Sequence, residues 1–199
     1  MYGAPITRNH IIHEDQPLQI SGLYTICKQA SEHLCRRYRE LFGLSVVTGR
    51  LGSAYGPMER GTGSRHNMSQ VYLLAHAAAH GERLKICGAD FLRDFCHISD
   101  VAEAFARLTL ADELAHDVYN VSAGTAHTLR ETCETLMQVE PRFQWAETDD
   151  AHTADIVVRP PNERGNMSIA RLQHDLDFAP KYDLAQGLRQ YMQWIGEFE

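Results

Sequence analysis

Three observations in the sequence predict an α/β protein built on parallel strands. Amphipathic helical stretches alternate with short apolar runs, the order that lays helices against a parallel sheet. One of those runs, "LSVVTGRL" (44–51), reads as a short, fully buried strand of the kind a parallel sheet wants. Two capping patterns, Asp100 with Glu103 and Thr128 with Glu131, mark helix starts between the runs.

Residues 4–20 read as a loop, because Pro5, Pro17 and a polar run break any periodicity. From Ser21 to Phe42 the residues Leu23, Ile26, Ala30, Leu34, Tyr38 and Leu41 recur at helical spacing. They predict a helix that Gly43 ends. The strand at 44–51 follows, then a glycine-rich loop from Gly52 to Arg65 and a helix over Asn67–His80. "LKICGADFLRDFCHI" (84–98) predicts two short strands about a Gly-Ala-Asp turn. Asp100 opens a helix to about Ala111, "DVYNVS" (117–122) is a strand, and Thr128 opens a helix to about Met137. Pro141 to Asn166 is weakly patterned; a short helix at Ala170–Leu176 and an amphipathic one at Leu184–Phe198 close the chain. Before residue 60 only one strand is of the fully buried kind, and such a strand needs neighbours. The reading is therefore of a piece of a larger α/β body.

Composition narrows the function classes. At 199 residues, 44% hydrophobic and 23% charged, the chain is of ordinary globular make-up and can bury a core. A formal net charge of -7 with no basic stripe argues against a nucleic-acid partner. No run approaches the roughly eighteen apolar residues of a membrane span, and the N-terminus lacks a signal-peptide pattern. Cys27, Cys35, Cys87, Cys96 and Cys133 are odd in number and form no C-x-x-C pair. They predict reduced thiols and a cytoplasmic location. His76 and His80 have a two-histidine helix spacing, but with no third ligand at a persuasive distance they read as an exposed face, and no metal site is expected.

The candidate chemistry starts with Tyr24 and Lys28, four residues apart at the head of the first helix and so on one face of it. A free phenol has a pKa near 10, too high for a base at neutral pH, and a neighbouring ammonium favours the phenolate. Such a couple can shuttle a proton. The same spacing also arises by coincidence on a surface helix, and the pair alone leaves both readings open. "TGRLGSAYG" (48–56) imitates a dinucleotide fingerprint after a strand. Its spacing differs from G-x-G-x-x-G, however, and Pro57 follows where a helix should begin. Cys96 and His97 are adjacent, so on a strand they point to opposite faces and form no dyad; His97 is expected to be a structural hydrogen-bonding residue.

Context adds to the pair. "YGAP" (2–5), "EDQPL" (14–18), Y-x-x-x-K at 24–28 and "YRELFGLSVVTGRLGSAYGP" (38–57) come in order. They are followed by "GADFLRDFCHISDVAEAF" (88–105), "VYNVSAGTAHTLRE" (118–131) and "SIARLQHDLDFAPKYDLAQGLRQYMQWI" (168–195). This series resembles the extended short-chain dehydrogenase/reductase family, and within it the NAD-dependent sugar-nucleotide epimerases and dehydratases. The resemblance covers essentially the whole chain. It implies a partial Rossmann-like fold plus a small α/β substrate-binding portion. Residues 1–60 would be the C-terminal part of the Rossmann-like domain and 61–199 mainly the substrate-binding portion, with about 95–125 returning to the Rossmann-like sheet.

The resemblance also implies roles. Tyr24 would exchange a proton with a sugar hydroxyl, and Lys28 would hold the nicotinamide ribose of NAD or NADP. Leu51 and Gly52 would line the nicotinamide pocket with backbone, and Ser53, Asn67, Arg93 and Arg159 would hold a nucleotide-sugar substrate. Arginine suits a diphosphate because its planar fork donates two parallel hydrogen bonds. Ser53 stands where the family often has an asparagine, and Ser168 where it usually has an aspartate. The glycine-rich turn that cradles the pyrophosphate would precede Met1 and is absent from this chain. The resemblance implies a homodimer through the Tyr24 helix, and this length of chain alone is expected to be inactive. Two other functions stay open: a non-catalytic fragment that binds a nucleotide sugar or assembles with a partner, and an oxidoreductase of a non-nucleotide substrate.

Overall fold

The computed structural model describes residues 10–18, 22–62, 67–159 and 165–198. Residues 4–9 and 19–20 of the expected first loop, Ser21, and residues 63–65 of the glycine-rich loop lie outside the described residues.

A two-residue strand, β1 (Ile11–Ile12), interrupts the expected N-terminal loop, and α1 (Leu23–Phe42) follows. Gly43 ends α1 in the left-handed conformation that glycine adopts without strain, φ 64°, and donates its N–H to the Arg39 carbonyl. The apolar stripe that predicts this helix does not face the core. Leu23, Ile26, Leu34, Tyr38 and Leu41 are exposed, and the one buried residue among those described in α1 is Glu32. The helix docks through its polar face because a buried cation, Arg50, waits on the neighbouring strand.

That strand, β2 (Thr48–Leu51), runs parallel to β7 (Val118–Val121), with Thr48 opposite Val118 and Leu51 opposite Val121. Ser53 to Tyr55 of the expected loop is a strand: β3 (Ser53–Tyr55) pairs in parallel with β6 (Phe95–His97) and turns Tyr55 inward. Against these strands pack α3 (Ile98–Leu110) and α5 (Ala170–Leu176). They share a core of Cys96, Val101, Ala104, Leu108, Tyr119, Val121, Leu172 and Phe178.

A second core lies on the other side of β6. Here α2 (Gln70–His80), α4 (Leu129–Val139) and α6 (Leu184–Phe198) cover a parallel sheet of β10 (Ile156–Val157), β4 (Arg83–Cys87) and β9 (Gln144–Glu147), in that order. Leu74, Ile86, Leu129, Leu136, Phe143, Leu188 and Tyr191 fill it. Two small ladders tie the ends. β5 (Leu92–Arg93) runs antiparallel to β8 (His127–Thr128), and β1 runs parallel to β11 (Asn166–Met167). The weakly patterned stretch before Asn166 thus holds two strands that only their pairing with β4 defines.

The two capping patterns have different fates. Thr128 and Glu131 form a reciprocal capping box at the head of α4. Asp100 does not cap α3, which begins two residues earlier with His97 Nδ1 accepting the Ser99 N–H. Asp100 is buried instead and accepts the backbone N–H groups of Lys181 and Tyr182, fixing the approach to α6. His76 is likewise less exposed than its polarity implies, being half-buried with its ring stacked on Tyr72 at 3.8 Å.

Candidate functional site

One face of α1 looks into a cleft of about 590 Å³. Tyr24, Lys28, Ser31, Glu32 and Cys35 come from that face, one to three turns apart. The opposite wall is the length of β2 and the link to β3, Thr48 to Ser53, with Asp94, Ile12 and Met167 closing the end. The Lys28 ammonium lies 5.6 Å from the Tyr24 ring centroid. Both side chains are open to water, and Tyr24 is 71% exposed.

The β2–β3 link is held so that backbone forms the wall. Gly52 donates its N–H to Val121 and Ser53 donates to the Asp94 carbonyl, both at 2.9 Å. A side chain at Gly52 would press on Ser122 Oγ and the Asp94 carbonyl, at 3.2 and 3.4 Å from its Cβ, so this position needs a small residue. Gly49 lies under the Phe105 ring and Gly56 against His97, at φ 126°. The three glycines of the imitation fingerprint therefore serve strand packing, and β3 rather than a helix comes after Gly52.

Asp94, which the sequence reading passed over for its neighbour Arg93, is 1% exposed at the cleft end. Its carboxylate accepts the Ser122 hydroxyl and the Met167 N–H. Burial pushes its pKa up to about 6, against the pull of those hydrogen bonds. An acidic residue inside the otherwise largely apolar run "FLRDFCHI" was the available signal. His97 Nδ1 accepts the Ser99 N–H and its Nε2 donates to Gln190 Oε1, and the ring stacks on Tyr182 at 4.1 Å. Burial lowers its pKa, so it is a neutral structural residue.

The expected site residues thus divide. Tyr24, Lys28, Leu51, Gly52 and Ser53 line one cleft. Asn67, Arg93 and Arg159 are not among the residues that line it. Arg93 is half-buried on β5 opposite His127, while Asn67 and Arg159 are exposed. Among the described residues no group of His, Cys, Asp and Glu is placed to hold a metal ion, and no helix is long and apolar enough to cross a membrane.

With this geometry in view, comparison with known proteins is specific. The family model described as "NAD dependent epimerase/dehydratase family" matches residues 1–122. The chain belongs to this family. Among its relatives is dTDP-glucose 4,6-dehydratase of Xanthomonas campestris pv. campestris, 27% identical over 187 residues, 91% of this chain and 51% of that protein. UDP-glucose 4-epimerase of Thermus thermophilus, solved as a complex with NAD, superposes with a TM-score of 0.81 at 23% identity, covering 100% of this chain and 61% of that one. RMD from Pseudomonas aeruginosa, complexed with NADPH, superposes with a TM-score of 0.78 at 25% identity, covering 98% and 64%. The chain spans about half the length of the first of these relatives. The family is one of NAD-dependent enzymes, and the fold is the Rossmann-like α/β fold of these epimerases and dehydratases.

The cleft fits part of such a cofactor. An ammonium and a phenol converge on a wall of backbone that carries no bulky side chain at Gly52, a donor set suited to a ribose and the flat ring beside it.

Proposed function

We propose that this chain is the acid–base and sugar-binding portion of an NAD- or NADP-dependent enzyme that epimerises, dehydrates or reduces a nucleotide-linked sugar. The observation that carries the reading is the convergence of Tyr24 and Lys28 on one cleft with the Leu51–Ser53 backbone. The bound dinucleotide would accept or return a hydride at the sugar carbon. Tyr24 takes the proton of the sugar hydroxyl and gives it back, while Lys28 holds the ribose and favours negative charge on the phenol oxygen. Ser53 meets the sugar at the cleft wall, and Arg93, Asn67 and Arg159 bind the diphosphate beyond it.

The two cores support a division of labour. The described residues up to 60, with about 95–125, form the Rossmann-like side around β2, β3, β6 and β7. The other described residues of 61–199 mainly form the substrate side around β4, although Leu172 and Phe178, in and after α5, pack into the Rossmann-like core. The exposed apolar stripe of α1 supports pairing with a second copy, and the five free thiols support a cytoplasmic enzyme.

The exposure of Tyr24 supports little turnover by this chain alone. Two charges 4 Å apart interact by about 1 kcal/mol through water but about 4 kcal/mol near a protein surface, so the lysine acts weakly until the cleft is covered. The same exposure favours a second reading, a non-catalytic chain that binds a nucleotide sugar. Calorimetric titration with UDP, GDP and dTDP, with and without NAD, tests both, alongside turnover assays on the corresponding sugars. The expected result is nucleotide binding that Arg93→Ala weakens and NAD binding that Lys28→Met weakens. Nucleotide binding indifferent to NAD and to Lys28→Met would favour the non-catalytic chain. Robust turnover by the chain alone would overturn the incomplete-site reading.

A further inference from the structure

The way α1 is fastened to the body carries a further inference. Its apolar stripe points away, so the face that bears Tyr24 and Lys28 is held mainly by charge. Glu32, one turn beyond Lys28 and two beyond Tyr24, meets Arg50 in a fork: Nε donates to one carboxylate oxygen at 3.0 Å and Nη2 to the other at 2.6 Å. Arg50 Nη1 donates to the Glu14 carbonyl at 2.7 Å. The Glu14 carboxylate in turn accepts the Asn120 N–H of β7 at 2.9 Å. The two side chains of the fork are 8% and 6% exposed. Other ion pairs, from Arg36 and Arg39 to Asp117, fasten only the far end of the helix and are open to solvent.

A buried ion pair adds little net stability, since desolvating two charges offsets their attraction; what it supplies well is register. Arg50 immediately precedes Leu51 and Gly52 on β2, and Glu32 shares the helix face of the acid–base couple. We propose that the Glu32–Arg50 fork is a positioning clamp: it sets where Tyr24 and Lys28 stand relative to the Leu51–Ser53 backbone. Glu32 and Arg50 act through these neighbours and need not touch a ligand themselves. The functional part of this inference rests on the reading of the cleft as a dinucleotide and sugar site; the mechanical part does not.

The test uses amide hydrogen exchange on the whole chain with NAD titration beside it. With Glu32→Gln, exchange over residues 23–35 should quicken at least tenfold while 129–139 and 184–198 keep their wild-type rates, and NAD affinity should fall at least fivefold. The swapped pair Glu32→Arg with Arg50→Glu should restore both in part. If a single variant fails to fold, Glu32→Met with Arg50→Met replaces the pair by apolar groups of similar length. That double variant should melt near the wild type and still lose protection in 23–35. Unchanged exchange in 23–35, or a uniform quickening along the chain, overturns the clamp. Lys28→Met with unchanged NAD affinity, or no NAD binding by the wild type, counts against the cleft reading alone, and exchange then decides the clamp.

Discussion

Asp94 makes the sharpest test of how the cleft end is built. Its carboxyl titrates near pH 6 in the fold and near 3.8 when solvated, because burial opposes the charge. Between those values the folded chain holds the proton more firmly than the unfolded one. Stability contributed by this residue is therefore complete below 3.8 and is lost as pH rises through 6. A gap of about two units is worth about 3 kcal/mol in all, of which about 1.3 kcal/mol falls between pH 7 and pH 5. Asp94→Asn keeps the shape and the bonds to Met167 and Ser122: its carbonyl accepts the Met167 N–H and its amide donates to a rotated Ser122 hydroxyl, while any weakening at the Ala123 N–H, a third donor to this carboxylate, shifts stability equally at both pH values. It cannot titrate. Urea unfolding of both proteins at the two pH values gives the answer, since every other group cancels in the difference between them. The wild type should gain about 1.3 kcal/mol more than Asp94→Asn on going from pH 7 to pH 5. Parallel pH dependence in the two proteins would show that the carboxyl is ordinary and the argument from burial wrong.

Other expectations are simpler to read. Gly187→Ala drives a Cβ into Tyr55 Oη, so despite better helix propensity it should cost about 1–3 kcal/mol in thermal melts, partly recovered by adding Tyr55→Phe. Thr128→Ala removes the cap of α4 and should cost about 1 kcal/mol, with the loss visible as faster amide exchange at Glu131. Asp100→Ala leaves the Lys181 and Tyr182 N–H groups without their acceptor and should cost about 1–3 kcal/mol for each that stays buried. A variant that melts like the wild type would mean that water replaces the carboxylate there.

Helices were legible where periodicity and caps agreed. Ala170–Leu176 and Leu184–Phe198 have the bounds their sequence implies, and α1 starts within two residues of its expected place. The apolar runs that became β4, β6 and β7 were legible too, but the strands β1, β3, β5, β8 and β11 were not, because two or three residues hold no period. Only a distant parallel partner makes Ser53–Tyr55 a strand, and that partner begins at Phe95. Asp100 misled for a related reason: D-x-x-E is a local signal, but its carboxylate serves backbone some eighty residues on. The stripe on α1 announced a helix without saying which side the body would claim. At the cleft, Tyr24, Lys28 and residues 51–53 could be named from motif and order, whereas Glu32 and Asp94 could not. Their importance lies in being charged and enclosed, which becomes visible only when the partners Arg50, Ser122 and Met167 are in place.

The outward stripe of α1 has a practical consequence. A rod that grips its own body by ions and offers its greasy side to the surroundings answers to two different solvents at once. Sulfate, which strengthens contact between apolar surfaces, acts on the open side, while an enclosed fork of charges feels little of it. Crowding copies together and letting the rod slip are thus separate events, and a single salt titration followed by light scattering and amide exchange can tell one from the other.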